Sequence, residues 1–247
     1  MKTKILILAA GIGKRMASET PKVLLPVAEK PMIFHLLDTV RETGINGRPV
    51  VVVGNKAEGM QKILGDQCEY VVQKEQLGTG HAVMCAEKAL RGKANIIFVL
   101  YGDQPCIESA TIKKILALHE KEQPEITMAT TIVENFNDWR KPLNDFGRIV
   151  RDEKGKIQAS VERKDATPEQ IKIRELNPSF YCFKADWLWE NLKKIDKKNA
   201  QGEYYLTDLV RIAIDQGKRV ETVDVNPLET LGVNTQEHLE LVRKLVR

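Results

Sequence analysis

The sequence predicts an α/β protein with a doubly wound, mostly parallel, Rossmann-like sheet. Strand and helix patterns alternate from the N-terminus to about residue 134, an order that favours parallel strands joined by helical crossovers. The strand patterns are continuous apolar runs, which are typical of strands buried on both faces. After Glu134 short strand patterns and turns follow one another, which predicts a mixed, partly antiparallel extension of the sheet.

The alternating half contains strand patterns at residues 5–10, 49–53, 70–73, 96–101 and 126–133. Helix patterns lie between them at 31–43, 56–64, 81–90 and 108–121. Pro31 opens the first helix pattern and Gly44 follows it, as helix ends prefer.

In the sequence after Glu134, the pattern predicts a hairpin with strands at 147–151 and 156–162 and a turn at Gly155. Further strands are predicted at 171–175, 180–183 and 219–225, and helices at 186–195 and 204–216. An amphipathic helix is predicted at 235–246.

Composition excludes several classes of protein. The net charge of +4 on 247 residues is too small to indicate nucleic-acid binding. No apolar stretch approaches membrane-spanning length, so we expect no membrane partner. The four cysteines have no Cys-x-x-Cys spacing, which indicates reduced thiols and a cytoplasmic location. The sequence carries no signal for an oligomeric state.

Glycines and cations follow the first strand pattern. Gly11 and Gly13 allow a sharp turn whose N–H groups can cradle anions. Arg15 and Lys22 add positive charge, a combination that suits several phosphates at once. Met16 stands where a dinucleotide fingerprint needs its third glycine, and Arg15 where a P-loop needs Ser or Thr. A tight turn with two solvated cations is the alternative.

Other candidates lie at the ends of predicted strands. Asp103 follows the strand at 96–101 and is a natural Mg²⁺ ligand beside a polyphosphate loop, or else a turn former. Gln73 carries an amide that suits the edge of a nucleobase. It precedes Gly78-Thr79-Gly80, which would let a base lie close to the backbone or simply start a helix.

Two residues later in the chain, Asn234 and Glu162, each have two possible roles. Asn234 is either a metal ligand or a helix N-cap with Glu237 three residues later, and Thr235 is an alternative cap. Glu162 either accepts hydrogen bonds from sugar hydroxyls or lies on a solvated edge.

Six ordered motifs resemble those of the sugar-phosphate nucleotidyltransferase family. They are Leu8-Ala9-Ala10-Gly11-x-Gly13-x-Arg15-Met16 with Pro21-Lys22-Val23-Leu24, Leu77-Gly78-Thr79-Gly80-His81-Ala82, Tyr101-Gly102-Asp103-x-Pro105, Val161-Glu162-x-x-Asp165-Ala166, Gln201-Gly202-Glu203-Tyr204-Tyr205-Leu206-Thr207-Asp208 and Gly232-Val233-Asn234. Together they resemble the uridylyltransferase domain of bifunctional N-acetylglucosamine-1-phosphate uridylyltransferase/glucosamine-1-phosphate acetyltransferases.

The resemblance implies a Mg²⁺-dependent reaction of UTP with a sugar 1-phosphate, N-acetylglucosamine 1-phosphate above all, that yields a UDP-sugar and pyrophosphate. It implies the following site residues: Leu8, Ala10, Gly11, Gly13, Gln73, Gly78 and Thr79 for the nucleotide, Arg15, Lys22 and Asp103 for catalysis, Asp103 and Asn234 for the metal, and Tyr101, Gly147, Glu162 and Asn177 for the sugar. We therefore expect one domain with a nucleotide-binding half (1–134), a sugar-binding lid (135–225) and a metal-ligand loop with the last helix (226–247).

The alternatives are uridylyl or cytidylyl transfer to another hexose 1-phosphate or phosphorylated alcohol, and a non-catalytic nucleotide-sugar sensor. The sequence departs from the family on the sugar side. Asn177-Pro178-Ser179 replaces Asn-x-Gly, and Phe146 replaces a tyrosine. The longer loop at 135–145 carries Trp139, which offers an apolar wall for an acetyl group. The chain ends at Arg247 without hexapeptide repeats, so the acetyltransferase half either does not exist here or was cut away.

Overall fold

A computed structural model of the chain describes residues 1–11, 13, 16, 20–54 and 57–245. The strands are β1 (Thr3–Ala9), β2 (Pro26–Val27), β3 (Lys30–Pro31), β4 (Val50–Val53), β5 (Glu69–Val72), β6 (Ile96–Tyr101), β7 (Ile126–Ile132), β8 (Gly147–Arg151), β9 (Ile157–Val161), β10 (Glu175–Asn177), β11 (Tyr181–Lys184) and β12 (Val220–Asp224). The helices are α1 (Met32–Glu42), α2 (Ala57–Leu64), α3 (Thr79–Leu90), α4 (Ser109–Glu122), α5 (Pro168–Ile171), α6 (Ala185–Asn191), α7 (Asp208–Asp215) and α8 (Gln236–Leu245). Short 3₁₀ segments lie at Lys22–Leu24, Gly65–Gln67, Asp138–Asp145, Leu192–Lys194 and Pro227–Thr230.

Ten of the described strands form one sheet in the order β5-β4-β1-β6-β11-β7-β10-β8-β9, with β12 also paired to β7. The strands β5, β4, β1 and β6 are parallel, as are β7 and β12. The strand β11 runs antiparallel between β6 and β7, and β10, β8 and β9 form an antiparallel extension. The predicted doubly wound, mostly parallel sheet with a mixed extension is confirmed.

Alternation along β1 distributes its side chains to the two faces of the sheet. Leu6 and Leu8 belong to the core cluster that includes α3, α6 and α7. Ile5 and Ile7 belong to the cluster that includes α1, α2 and α4. Burial of one such aliphatic side chain contributes about 1.5–3 kcal/mol, so both faces of this strand hold it in place.

The predicted strand at 171–175 is wrong. A helical turn, α5, occupies the start of that range and the strand β10 begins only at Glu175. Thr167 accepts from the Gln170 backbone and Gln170 reciprocates, while Pro168 opens the turn, so a complete capping box starts a helix here.

The predicted helix at 204–216 begins later than expected, at Asp208. The backbone of Tyr204 is used elsewhere, because its N–H donates to Leu77 O at 2.8 Å and its carbonyl accepts from Gly80 N–H at 2.8 Å. These long-range bonds hold the residues before α7 against the loop before α3.

The range 135–225, predicted as a sugar-binding lid, contributes to two parts of the sheet. Only β8, β9 and β10 form the antiparallel extension. The strands β11 and β12 from the same range lie in the central sheet, beside β6 and β7. The boundary near residue 134 therefore does not separate two structural units. None of the described helices has the length and apolar character that a membrane crossing needs.

Candidate functional site

A cleft of about 530 Å³ opens at the carboxyl ends of β1 and β6. Open α/β sheets bind their ligands at this edge. Every predicted site residue that the structure describes lines it: Leu8, Ala10, Gly11, Gly13, Lys22, Gln73, Gly78, Thr79, Tyr101, Asp103, Gly147, Glu162, Asn177 and Asn234. Arg15 lies outside the described residues. The individual roles of these residues stay predictions.

Three polar side chains from distant parts of the chain meet in this cleft. The Nζ of Lys22 lies 2.5 Å from Asp103 Oδ2 and 2.8 Å from Asn234 Oδ1. Lys22 starts a 3₁₀ turn after Pro21, and Asp103 follows β6. The Asp103 carbonyl accepts from Val233 N–H at 2.9 Å, which fixes Asn234 beside the carboxylate. Lys22 is 9% exposed, so water screens its charge only weakly.

The oxygens of Asp103 and Asn234 converge on one cation, the ammonium of Lys22. One carboxylate and one amide oxygen, completed by water and substrate phosphates, form a donor set that suits Mg²⁺. Within the described ranges, no group of three His, Cys, Asp or Glu side chains is placed to hold a metal. The protein could therefore supply only part of a coordination shell here, and the donor set fits a metal that arrives with phosphates.

The cap of α8 and the contact with Lys22 belong to neighbouring residues. Thr235 Oγ1 accepts from His238 N–H at 3.2 Å, which is an N-cap hydrogen bond. The side chain of Asn234 accepts from Lys22 instead. Asn234 is thus available to the cleft because Thr235 caps the helix.

The two glycines after β1 differ in their surroundings. A Cβ at Gly11 would meet no atom of the described residues within 4 Å, so these residues leave room for a ligand to approach the backbone there. Gly13 has a φ of +64°, and its Cβ would lie 3.1 Å from Lys22 Cβ. Its carbonyl accepts from Met16 N–H at 2.7 Å. Gly13 therefore packs closely against Lys22, whereas the described residues leave space beside Gly11.

The glycines before α3 are required mainly by the protein itself. Gly78 has a φ of +111°, and its Cβ would lie 2.5 Å from Tyr204 O. A Cβ at Gly80 would lie 3.0 Å from the same oxygen. Thr79 Oγ1 accepts from Leu206 N–H at 3.0 Å. We predicted these glycines because they would let a base lie close to the backbone. The structure gives another reason, since a side chain at either position would clash with the backbone of Tyr204.

Gln73 follows β5 and is 3% exposed. Its Nε2 lies 3.2 Å from Gly78 O and 3.0 Å from His81 Nδ1. Among the described residues no donor bonds to its Oε1. The amide thus has one free acceptor in the wall of the cleft.

The opposite wall is built around Asn177, which is 2% exposed. Its Nδ2 donates to Ser160 Oγ at 2.8 Å and to Tyr181 Oη at 2.5 Å, and its Oδ1 accepts from Ser179 N–H at 2.9 Å. Both amide hydrogens are used within the protein. Asn177 therefore shapes the wall through its neighbours, and only its carbonyl oxygen has capacity left for a ligand.

Ser179 has a φ of +69°, a left-handed conformation that costs a side-chain-bearing residue about 1–2 kcal/mol. Burial raises the pKa of Tyr101 and of Tyr181, and hydrogen bonding with the Ser179 hydroxyl opposes that rise at both phenols. The serine that replaces the family's glycine thus has a side chain that interacts with the fully buried Tyr181 and the partly buried Tyr101. A glycine at position 179 would adopt the positive φ without strain, but it would lack the side chain that interacts with Tyr101 and Tyr181.

Glu162 follows β9 and accepts from Thr207 Oγ1 at 3.0 Å. Burial raises the pKa of this carboxyl, and Asp165, Asp208 and Glu203 push it in the same direction. The structure places Glu162 in the cleft wall rather than on a solvated edge.

The loop before β8 is held by Arg148, which is fully buried. Its guanidinium donates to the carbonyl of Phe146, to Asn144 Oδ1 at 2.7 Å and to the carbonyl of Ile171 at 3.3 Å. Phe146 lines the cleft, whereas Trp139 lines a separate cavity of about 320 Å³ beside α8. The expected wall for an acetyl group is therefore not formed by Trp139.

Gln104 lines the cleft but was not predicted. It is 5% exposed, and its Nε2 donates to Pro178 O at 2.8 Å and Thr230 O at 3.1 Å. It connects the wall around Asn177 to the segment that carries Asn234. Its only sequence signal is a polar residue between Asp103 and Pro105, which by itself indicates no more than a turn.

The sequence is similar to those of known proteins. Residues 5–198 match the family model of the MobA-like NTP transferase domain. Proteins named bifunctional protein GlmU from Clostridium novyi and Caldicellulosiruptor saccharolyticus are 42% and 43% identical to this chain. The matches cover 100% and 96% of this chain but 53% and 50% of those proteins, so the chain spans about half the length of these relatives.

A solved structure of UDP-glucose pyrophosphorylase complexed with UDP-glucose has the same fold. Its TM-score to this chain is 0.77, and the match covers 99% of this chain and 98% of the other. The sequences are 21% identical, so this likeness concerns the fold alone.

Proposed function

The chain belongs to the family of MobA-like NTP transferase domains, and from this premise we propose that it transfers the uridylyl group of UTP to N-acetylglucosamine 1-phosphate. The observation that carries the proposal is the cluster of Lys22, Asp103 and Asn234. It lies in a cleft that also contains the glycine loop after β1 and the buried polar wall around Asn177. The cluster thus stands where the phosphates of two substrates would meet.

The proposed reaction is an in-line displacement. A phosphate oxygen of the sugar 1-phosphate forms a bond to the α-phosphorus of UTP, the bond from that phosphorus to the bridging oxygen breaks, and pyrophosphate leaves with the electron pair. The attacking oxygen is already anionic, so no strong general base is required. Catalysis then depends on positioning and on neutralisation of negative charge.

The residues of the cluster would divide this work. Lys22 is a buried cation that can contact phosphate oxygens, and Arg15 would neutralise the departing pyrophosphate. Asp103 and Asn234 would hold Mg²⁺, which when bound supplies further neutralisation of phosphate charge. We expect the reaction to take place in the cytoplasm, since the four cysteines are free thiols.

The two ends of the cleft would select the substrates. Gln73 has a free acceptor oxygen for the edge of uracil. We expect the loop at Gly78 and Thr79 to exclude the larger purines. Glu162 would accept hydrogen bonds from sugar hydroxyls, and Asn177 would hold the wall beside the sugar.

Glucose 1-phosphate is the second candidate acceptor. Ser179 carries a side chain where the family has only a hydrogen, and its backbone is held in place because its N–H donates to Asn177 Oδ1 at 2.9 Å. This reduces the room for an acetamido group. Loss of one methyl-sized contact changes discrimination by about 1–3 kcal/mol, so the N-acetylated sugar remains our choice.

A matrix of nucleoside triphosphates against sugar 1-phosphates, read by pyrophosphate release, tests the proposal. We expect turnover with UTP and N-acetylglucosamine 1-phosphate, and much less with CTP, ATP or GTP. Equal use of CTP would favour a cytidylyltransferase. A tenfold higher kcat/KM for glucose 1-phosphate would replace the proposed sugar, and nucleotide binding without turnover in any pair would indicate a sensor.

A further inference from the structure

The proposed reaction makes no use of His81 or Cys85, which lie one turn apart on the same face of α3. His81 Nδ1 is 3.0 Å from Gln73 Nε2, and His81 Nε2 is 3.9 Å from Cys85 Sγ. His81 thus connects the base-facing amide to the helix behind it.

The orientation of the Gln73 amide follows from the chemistry of its neighbours. Gly78 O is a carbonyl and only accepts, so the Gln73 atom 3.2 Å away must be the NH₂ nitrogen. The second hydrogen of this group then faces His81 Nδ1. Both hydrogens are used, and the carbonyl oxygen is left for the cleft.

The same contact fixes the tautomer of His81. An Nδ1 that accepts carries no proton, so the proton of the neutral ring is on Nε2. Nε2–H faces the sulfur of Cys85, a weak acceptor. Burial raises the pKa of the Cys85 thiol, so the sulfur remains a neutral thiol.

We propose that His81 is a positioning residue that makes Gln73 present only an acceptor to the nucleobase. Uracil has an N–H at its third ring position and can donate to this oxygen, whereas cytosine has a lone pair there. Gln73 could offer its NH₂ to cytosine only by giving up the bonds to Gly78 and His81. The inference rests on the proposed function, because it explains how a uridylyltransferase would reject CTP.

The test compares kcat/KM for UTP with kcat/KM for CTP in the wild type and in His81→Leu and His81→Asn. The leucine variant has no acceptor, and we expect its UTP-to-CTP ratio to fall at least about tenfold, since roughly 1–3 kcal/mol depends on one buried hydrogen bond. The Oδ1 of the asparagine variant can accept near the position of Nδ1, so its ratio stays within about threefold of the wild type. Met84→Leu, on the same helix, is the matched control and keeps the ratio. His81→Phe replaces the leucine variant if that variant does not fold.

A second measurement is independent of turnover. Nitrogen-15 NMR of the ligand-free protein distinguishes the two histidine tautomers, and we expect an unprotonated Nδ1 on His81. A protonated Nδ1 overturns the proposal, as does an unchanged UTP-to-CTP ratio in His81→Leu. A fallen ratio that His81→Asn does not rescue also overturns it, because it would indicate a merely structural role. If the wild type does not use UTP, the proposed function fails, while the NMR result still decides the contact between His81 and Gln73.

Discussion

The side of the cleft that we propose for the nucleotide (the nucleotide side) is built mainly from backbone, whereas the side that we propose for the sugar (the sugar side) is built mainly from buried side chains. On the nucleotide side, Gly78 leaves no space for a Cβ against Tyr204, and Gly11 leaves its backbone open to the cleft. On the sugar side, Asn177 and Arg148 use their polar groups to hold neighbouring segments. The Ser179 N–H donates to Asn177 Oδ1 there.

The two constructions respond differently to change. Where backbone is closely packed against backbone, an added side-chain atom clashes, so a substitution there disrupts the local structure. A wall of hydrogen-bonded side chains can be rebuilt one group at a time, and its shape changes in small steps. We therefore expect substitutions of closely packed glycines such as Gly78 to affect folding or all activity, and substitutions in the hydrogen-bonded wall around Asn177 to affect substrate preference.

The largest effect is expected at the junction of the two sides. Asp103→Asn should lower kcat on the order of 10³-fold, because it weakens charge neutralisation at the reacting phosphates while keeping the size of the side chain. Steady-state kinetics across a Mg²⁺ series and a thermal unfolding curve measure this. Asp186→Asn, an exposed residue of α6, is the control. A variant that stays active at ordinary Mg²⁺ would show that Asp103 only forms a turn.

A test of the backbone side compares two glycines. Gly78→Ala should lower the free energy of unfolding by about 3 kcal/mol or more, from the clash with Tyr204 and the φ of +111°. Gly11→Ala should leave that free energy within about 0.5 kcal/mol, since its Cβ would meet no atom of the described residues within 4 Å. Denaturant titrations of both variants decide the point. Equal stability of the two would contradict the steric account of this wall.

On the sugar side the expected effect is one of preference. Ser179→Gly should raise kcat/KM for N-acetylglucosamine 1-phosphate relative to glucose 1-phosphate by about tenfold, as expected for added room of roughly one methyl group. Ser160→Ala removes a hydroxyl that bonds to Asn177 without adding space at position 179, so it should not raise this ratio. If both variants change the ratio alike, the volume at position 179 is not the cause.

The smallest effect concerns pH. The raised pKa of Glu162 means that the folded state keeps a proton which the unfolded state has already released. Stability therefore falls as pH rises from the ordinary carboxyl pKa through the raised one. Glu162→Gln should reduce this fall but not abolish it, because burial also raises the pKa of Asp208. Urea titrations at several pH values measure the slope, with the exposed Glu153→Gln as control; an unaltered slope in Glu162→Gln would contradict the assignment.

Much of the fold could be predicted because its signals are local. The apolar runs of β1 and β6 and the Pro and Gly at helix ends act within a few neighbouring residues. The strand predicted at 171–175 failed because Thr167, Pro168 and Gln170 start a helix that the apolar pattern does not reveal.

The site was predictable only in part. The glycines at positions 11 and 78 are visible in the sequence, so this part of the cleft wall could be predicted. The bonds from Gln104 to Pro178 and Thr230, and from Asn177 to Ser160, join residues far apart in the chain and leave no local pattern. The sequence likewise could not reveal that Tyr204, rather than a ligand, fills the space beside Gly78.

From the position of β11 we expect the sheet to be completed late in synthesis. This strand lies between β6 and β7 and pairs with both, although it follows them in the chain. As the chain leaves the ribosome, β5, β4, β1 and β6 can associate, but the open edge of β6 must wait for residues 181–184. Until then an apolar strand edge is exposed, a state that favours aggregation. A nascent chain that ends at residue 134 therefore has a strand edge on β6 that is not yet paired. This edge becomes paired when β11, the strand that carries Tyr181, is added to the sheet.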